Sequence, residues 1–316
     1  WPPTCCADAA EERCDPRTGT AAPAARWLLV EQPGPWGRDA LTQSRLDARV
    51  GAELARRGAA AGLRVQVVRR HGRVGHHPQG RRHWALVDSR PGHEAARWGR
   101  FEHDVELLDV DLTSPVTPVP GEAVRPVYLV CTHGRHDTCC AVRGRDVAAA
   151  LEPLAPGRVW ECSHVGGCRF AANVVVLPHG LYYGGVTPAL ATELVDATEA
   201  SRLVPDLLRG RSTGGPAEQA AEHHARLGLD GDGRTRLGAL RPVATEPTAD
   251  GAVRVVLARD DAQEALAVTV RRVAAGPPAL LTCAARRASP PQAWQLVDVR
   301  PARPAEGSLP AHADGP

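Results

Sequence analysis

Residues 124–140 read VRPVYLVCTHGRHDTCC, a short apolar run that passes directly into a segment with three cysteines. The run 124–130 predicts a buried strand, and CCAVRGRDVAAALEPLA at 139–155 predicts a helix that is stopped by Pro156 and Gly157. Cys131 and Cys140 therefore lie at a strand-to-helix corner. Free N–H groups and the dipole at the start of a helix favour a thiolate at such a corner.

A second cysteine segment, ECSHVGGCRF, follows at residues 161–170. Its first part belongs to a predicted strand at 158–164, and Gly166 and Gly167 allow a tight turn after it. His164 and Cys168 stand on either side of this turn, so both side chains can point to one centre. Together the two segments offer these candidate ligands: Cys131, Cys139, Cys140, Cys162, His164 and Cys168.

Three kinds of chemistry fit such a cluster: a disulfide framework, a catalytic thiol or a metal site. The nine cysteines are an odd number, and no signal-like leader or membrane-spanning apolar run is visible. We therefore expect a cytoplasmic protein with reduced thiols, which favours a metal site or a catalyst over disulfides. Eight residues separate Cys131 from Cys140, which is too many for the CxxC knuckle of a zinc ribbon.

The overall composition argues against several other functions. In the 316 residues, 38 basic side chains stand against 36 acidic ones, so the net charge is only +2 and a nucleic-acid partner is not supported. No GxGxxG loop occurs at a suitable strand–helix junction, which argues against a bound dinucleotide. No carboxylate pair suited to glycoside hydrolysis is visible either.

Outside the cysteine segments, the periodicity predicts an α/β fold. Before them, strands at 26–32, 63–70 and 83–90 and a helix from Ala40 to about Arg57 predict an N-terminal α/β unit, residues 1–120. After them, strands at 173–180 and 181–186 and a helix at 187–210 complete a second unit, residues 121–210. Its β-α-β-β-β-α order is close to a thioredoxin-like layout. No internal repeat is visible in the sequence.

The ends of the chain carry less regular patterns. Residues 1–25 are interpreted as an irregular lead-in, and 211–219 as a linker. A helix at 218–227 and strands at 253–259, 265–273 and 294–300 then predict a small α+β appendage, residues 211–316, with a disordered tail from 301 onwards. His76 and His77 lie in a polar loop and are interpreted as solvated side chains.

The two cysteine segments together resemble the sucrase/ferredoxin-like family of thioredoxin-like [2Fe–2S] proteins. CTHGRHDTCCAVRG and VWECSHVGGCRFAANVVVLPHGLYYG carry the resemblance, which spans about residues 12 to 210, and LLVEQPGPWG is similar to the other recurring segment of that family. The family pattern is Cys-x8-Cys followed by His-x-Gly-Gly-His. It implies Cys131, Cys140 and His164 as ligands in this chain, and Cys168 stands where the family has its last histidine.

The resemblance implies a one-electron carrier whose [2Fe–2S] cluster is held by three cysteines and one histidine. One neutral imidazole in place of a thiolate raises the potential, so we expect a value between about −400 mV for all-cysteine plant-type centres and roughly −150 to +300 mV for two-histidine centres. If the second ring nitrogen of His164 faces solvent, the potential depends on pH.

The resemblance favours an electron carrier over a stand-alone enzyme, and such a carrier needs an external reductase and an acceptor protein. No nucleic-acid or membrane partner is expected, and the pattern leaves the oligomeric state open. Two alternatives remain: a thioredoxin-like thiol–disulfide enzyme, which lacks the usual CxxC, and a structural Cys3His zinc site.

The other cysteines are expected to have structural roles. Cys139 is expected to pack in the core because it points elsewhere on the helix than Cys140, and Cys162 is expected to support the site without binding the cluster. Purely structural roles are expected for Cys5, Cys6, Cys14 and Cys283.

Four further side chains near the cluster have two interpretations each. His133 and His136 lie in the cluster loop and either cover the cluster or shape the loop. Arg169 either adds positive charge beside the cluster or forms a surface ion pair. Trp36, in the PGPWG turn, either packs over the cluster unit, which is the favoured interpretation, or is an exposed docking residue.

Overall fold

The computed structural model describes residues 5–72, 81–118, 125–260 and 264–302. The expected α/β class is confirmed, because a nine-stranded sheet carries helices and a separate four-stranded sheet lies near the C-terminus. The helices and strands of the described residues are α1 (Cys6–Glu12), β1 (Arg26–Glu31), α2 (Ala48–Ala60), β2 (Leu63–Arg70), β3 (Arg82–Asp88), β4 (Ala95–Phe101), β5 (Val127–Cys131), α3 (Thr138–Leu151), β6 (Val159–Cys162), β7 (Val174–Leu177), β8 (Leu181–Tyr183), α4 (Ala191–Glu199), β9 (Leu208–Arg211), α5 (Pro216–Leu227), β10 (Leu240–Pro247), β11 (Val253–Arg259), β12 (Ala265–Ala274) and β13 (Gln292–Ala302).

The first half of the large sheet contains β1 to β4. β1 and β2 run parallel and are connected by α2, whereas β3 pairs antiparallel with β1, and β4 with β3. Asp47 caps α2, because its carboxylate accepts hydrogen bonds from the N–H groups of Arg49 and Val50. Leu54 on the inner face of α2 is fully buried, and burial of such a side chain contributes about 1.5–3 kcal/mol.

The second half, β5 to β8, has the same topology. β5 and β6 run parallel and are connected by α3, whereas β7 pairs antiparallel with β5, and β8 with β7. In the first half, β1 therefore lies between β2 and β3, and β4 lies outside β3. In the second half, β5 lies between β6 and β7, and β8 lies outside β7. This is the strand order of a thioredoxin-like unit. The repeat is one of topology, which the residue pattern does not reveal.

The two halves join edge to edge where β2 pairs antiparallel with β6. The complete strand order is β4-β3-β1-β2-β6-β5-β7-β8-β9. The two cysteine segments follow β5 and β6, which lie in the middle of this sheet. One sheet contains described strands from both sides of the predicted limit at 120, and the predicted limits of the domains at 120 and 210 stay predictions.

The C-terminal region forms a second sheet, β10 to β13, in which every neighbouring pair is antiparallel. Helix α5 begins with Pro216 at its first position. Proline is tolerated there because an N–H group at this position would form no hydrogen bond within the helix. Its buried face packs on this sheet through Ala220 and Ala221, which contact the cluster of Val255, Leu257, Val268 and Val270. The small α+β appendage is thus present.

Several predicted elements differ from the observed ones. The helix predicted at 187–210 ends at Glu199, because Pro205 interrupts the pattern and Leu208 pairs with Tyr183 of β8. The helix predicted from Ala40 begins only at Ala48, after the Asp47 cap. The lead-in at 1–25 contains α1. β4 and β10 were not predicted, because both are largely exposed and lack a buried apolar face.

Two predictions concern residues outside the described part of the chain. These are the solvated His76 and His77 and the disordered tail, of which residues 303–316 are not described. Among the described helices, none combines the length and the apolar character that crossing a bilayer requires.

Candidate metal centre

Cys131 and Cys140 lie where β5 ends and α3 begins, as the strand-to-helix pattern predicts. Cys131 is the last residue of β5, Cys140 lies in the first turn of α3, and each is only 1% exposed. The helix approaches the strand closely because Gly144 has no side chain; a Cβ there would lie 2.3 Å from the Cys131 carbonyl oxygen. Asp137 caps α3 by accepting a hydrogen bond from the N–H of Cys139 at 3.2 Å.

His164 and Cys168 lie in the loop that follows β6. Gly166 and Gly167 turn this loop with φ values of +90° and +71°, a backbone region that residues with a Cβ disfavour. The turn places Cys168 Sγ 3.4 Å from His164 Nδ1. Cys168 is buried and His164 is half-buried, so the imidazole lies on the solvent side of the pair.

A buried arginine, Arg209 of β9, supports this turn. Its guanidinium donates hydrogen bonds to the Gly166 carbonyl at 2.9 Å, to Asn173 Oδ1 at 2.7 Å and to the Thr20 carbonyl at 2.5 Å. Burial lowers the pKa of Arg209 to about 10, which leaves it charged at neutral pH. A fixed positive charge therefore lies beneath the His164–Cys168 loop. Sequence reasoning missed it because β9 was predicted as part of a helix.

The four predicted ligands interact with one another. Hydrogen bonds to Cys131 and Cys168, together with burial, raise the pKa of the Cys140 thiol far above its usual range. Burial raises the pKa of Cys131 and of Cys168, but the hydrogen bond that each accepts from Cys140 lowers it by more. The pKa of Cys131 is therefore held well below the usual range, and that of Cys168 is lowered to about 7. Burial opposes charge on His164, but hydrogen bonds to Cys131 and Cys168 raise its pKa to about 9. Two thiols are thus held near the thiolate form that metals bind.

His136 covers the imidazole of His164. The two rings stack with centroids 3.6 Å apart and planes 11° apart. The ligand atoms of His136, His164 and Cys168 all lie within 4.8 Å of one another, which adds His136 to the donors near the site. Cys131 and Cys140 belong to no such compact group in the described part of the chain. The four predicted ligands thus form a ring of pairwise contacts, not one tight tetrahedron.

His133 connects the cluster loop to the PGPWG turn at 33–37. Its Nδ1 accepts a hydrogen bond from the N–H of His164 at 3.2 Å, so its Nε2 carries the proton and donates to the Gly37 carbonyl at 2.6 Å. The His133 ring also meets the edge of Trp36, which is 5% exposed. This confirms the packing interpretation of Trp36 and gives His133 a loop-shaping role.

An ion pair between Arg69 of β2 and Glu161 of β6 joins the two halves of the sheet beside the site. Both residues are buried, and Arg69 Nη2 lies 2.7 Å from Glu161 Oε2. Arg69 also donates to the Gly34 carbonyl at 2.7 Å, and Glu161 accepts from the Thr132 hydroxyl at 2.9 Å. The pair therefore links the PGPWG turn to Thr132, the residue after Cys131.

The remaining side chains near the site have other partners. Cys162 is fully buried beside Cys131, with which it is in register, and burial raises its pKa well above the usual range. Arg169 forms an ion pair with Asp15 at 3.3 Å, and both side chains are largely buried. Arg169 is therefore neither a surface residue nor an unpaired charge.

Cys139 points away from the four predicted ligands. Its Sγ lies 3.5 Å from that of Cys6 and 3.3 Å from that of Cys283. Three cysteines that were expected to play separate structural roles are therefore neighbours. No spacing in the sequence indicates this convergence, because Cys6 and Cys283 are 277 residues apart.

Comparisons with known proteins agree with the geometry. A sequence model of the family described as Sucrase/ferredoxin-like matches residues 17–210. A curated relative, "Altered inheritance of mitochondria protein 32" of Eremothecium gossypii, is 32% identical over 101 residues, which is 27% of this chain. The matched region covers 32% of that relative, so the chain spans about a third of its length. No solved structure gives a significant match.

Proposed function

Since the chain belongs to the sucrase/ferredoxin-like family, we propose that it is a one-electron carrier with a [2Fe–2S] cluster held by Cys131, Cys140, His164 and Cys168. The observation that carries the proposal is the convergence of three thiols and one imidazole from two loops in the middle of the sheet. When bound, the cluster supplies reversible uptake of a single electron.

The donor set fits an iron–sulfur cluster. Thiolates and imidazole are the ligands that [2Fe–2S] clusters take from proteins, and the low pKa values of Cys131 and Cys168 favour their thiolate forms. A single zinc ion needs four ligand atoms about 3.8 Å apart. Of the four predicted ligands, only His164 and Cys168 belong to a compact group of donor atoms among the described residues, so the arrangement does not favour a single zinc ion.

The surroundings of the site fit electron exchange at the surface. His164 and His136 are half-buried, while Cys131, Cys140 and Cys168 are buried, so the imidazole side of the site faces solvent. The charge of Arg209 beneath the His164–Cys168 loop favours the extra electron on a reduced cluster. We infer that a reductase and an acceptor protein approach from the imidazole side.

The same geometry argues against thiol–disulfide exchange as the main activity. Exchange needs an accessible thiolate, whereas Cys131 and Cys140 are each 1% exposed. All nine cysteines are free thiols, which fits a reducing compartment such as the cytoplasm.

The test is purification without oxygen, followed by visible spectroscopy. We expect a red-brown protein that bleaches with dithionite, and we expect Cys140→Ala to lose most of its iron. Cys162→Ala is the matched control, because it removes a buried thiol from the strand beside Cys131 that is not one of the proposed ligands, and it should keep the iron. Full iron retention in Cys140→Ala, or a colourless wild-type protein, would overturn the proposal.

A further inference from the structure

We propose a second metal site: a zinc ion bound by Cys6, Cys139, Cys283 and Asp137, separate from the cluster site. The four residues form a compact group whose ligand atoms all lie within 4.8 Å of one another. Cys6, Cys139 and Asp137 are buried, and Cys283 closes the group from the surface.

The distances fit one tetrahedral ion. Cys139 Sγ lies 3.5 Å from Cys6 Sγ and 3.3 Å from Cys283 Sγ, and both carboxylate oxygens of Asp137 lie 3.7 Å from Cys6 Sγ. With Zn–S bonds of about 2.3 Å, the ligands of a tetrahedral zinc ion are about 3.8 Å apart. The remaining donor pairs lie within 4.8 Å of each other, so shifts of at most about 1 Å place all four donors on one ion.

The donor set selects the kind of metal. Three thiolates and one carboxylate suit zinc, whereas calcium and magnesium require oxygen ligands. The group supplies four protein ligands and therefore leaves no open position for substrate. Four ligands without an open position are typical of structural zinc sites.

Backbone hydrogen bonds hold the donors in place. Asp137 Oδ2 accepts from the N–H of Cys283 at 3.0 Å, and Oδ1 accepts from the N–H of Cys139 at 3.2 Å. The N–H of Cys6 points to the Cys283 sulfur at 3.4 Å. Such hydrogen bonds orient metal ligands and stabilise the negative charge on sulfur.

The site joins three distant parts of the chain. Cys6 belongs to α1, Cys139 to the first turn of α3, and Cys283 to the connection between β12 and β13. A zinc ion here fastens the C-terminal sheet and α1 to the start of α3, directly beside Cys140. Cys139 and Cys140 are therefore neighbours that serve two different centres.

The experiment measures zinc and iron separately in the full chain, purified without oxygen. We expect about one zinc per chain in addition to the iron. Cys283→Ser should weaken zinc binding by more than about tenfold and keep the iron, whereas Cys140→Ala should lose iron and keep zinc. Cys14→Ser is the matched control: it also removes one exposed thiol, but from outside both groups, and should retain both metals.

A second measurement tests whether the zinc ion holds the connection between β12 and β13 in place. The connection that holds Cys283 also carries the exposed Arg286 and Arg287, so trypsin should cleave there faster in Cys283→Ser than in Cys14→Ser. Absence of zinc from the wild-type chain, equal zinc in Cys283→Ser and Cys14→Ser, or a disulfide between Cys139 and Cys283 after anaerobic alkylation would overturn the proposal. A failure of iron binding alone leaves the zinc comparison intact, so the two proposals fail separately.

Discussion

Substitution of Gly167 by alanine tests the contact between the His164–Cys168 loop and Arg209. Gly167 has a φ of +71°, and a Cβ there would lie 2.3 Å from Arg209 Nη2 and 2.9 Å from Nη1. The left-handed backbone alone costs an alanine about 1–2 kcal/mol. The guanidinium must also move, which breaks one or two hydrogen bonds to a charged group, each contributing about 1.5–3 kcal/mol.

We therefore expect Gly167→Ala to reduce the free energy of unfolding by about 2.5–8 kcal/mol. Gly157→Ala is the matched control, because Gly157 has the same φ of +71° but no atom within 4 Å of its Cβ position. It should cost only the backbone contribution of about 1–2 kcal/mol.

The assay is denaturant unfolding followed by circular dichroism, together with iron analysis of each purified variant. Gly167→Ala should unfold at a lower denaturant concentration than Gly157→Ala and hold less iron, because the loop carries His164 and Cys168. Equal midpoints and equal iron contents would refute the inference that Arg209 supports the His164–Cys168 loop.

Three other substitutions test the electrostatics of the site. Cys168→His should keep the cluster and raise its potential towards the roughly −150 to +300 mV of two-histidine centres, because an imidazole replaces a thiolate; an unchanged potential in a redox titration would contradict this ligand assignment. His136→Ala should keep the iron, since we assign His136 to covering His164, and iron loss equal to that of Cys140→Ala would instead make it a ligand. Glu161→Gln should reduce the free energy of unfolding at neutral pH by about 3–5 kcal/mol, because it leaves Arg69 buried and unpaired. Although burial opposes it, the charge of Arg69 lowers the pKa of Glu161 below its usual 4.5. The stability that this ion pair gives the wild-type protein should therefore be lost as the pH falls below about 4.5. Glu161→Gln should lack this acid-dependent loss when denaturant titrations are repeated across pH.

Local patterns in the sequence were sufficient for most strands and for the position of the cysteine segments. The strand at 63–70 was predicted with its observed limits, because LRVQVVRR begins with alternating apolar and polar residues directly after Gly62. Cys131 and Cys140 were placed correctly at a strand-to-helix corner, since one strand and one helix flank them directly.

Features that depend on distant contacts could not be predicted from the sequence. The joining of the two halves through β2 and β6 could not be predicted, because no residue spacing records that pairing. Arg209 supports a loop more than 40 residues away along the chain, from a strand that resembles the end of a helix. Cys283 reaches Cys139 across 144 residues, so its neighbours depend on how the second sheet packs on the first.

The central claim is that Cys131, Cys140, His164 and Cys168 hold a [2Fe–2S] cluster. The most direct measurement is iron and acid-labile sulfide analysis of the anaerobically purified chain, with electron paramagnetic resonance after reduction. We predict about two iron and two sulfide per chain and a signal from one unpaired electron in the reduced protein, lost in Cys140→Ala. A chain that contains zinc but neither iron nor sulfide, and gives no such signal, would contradict the claim.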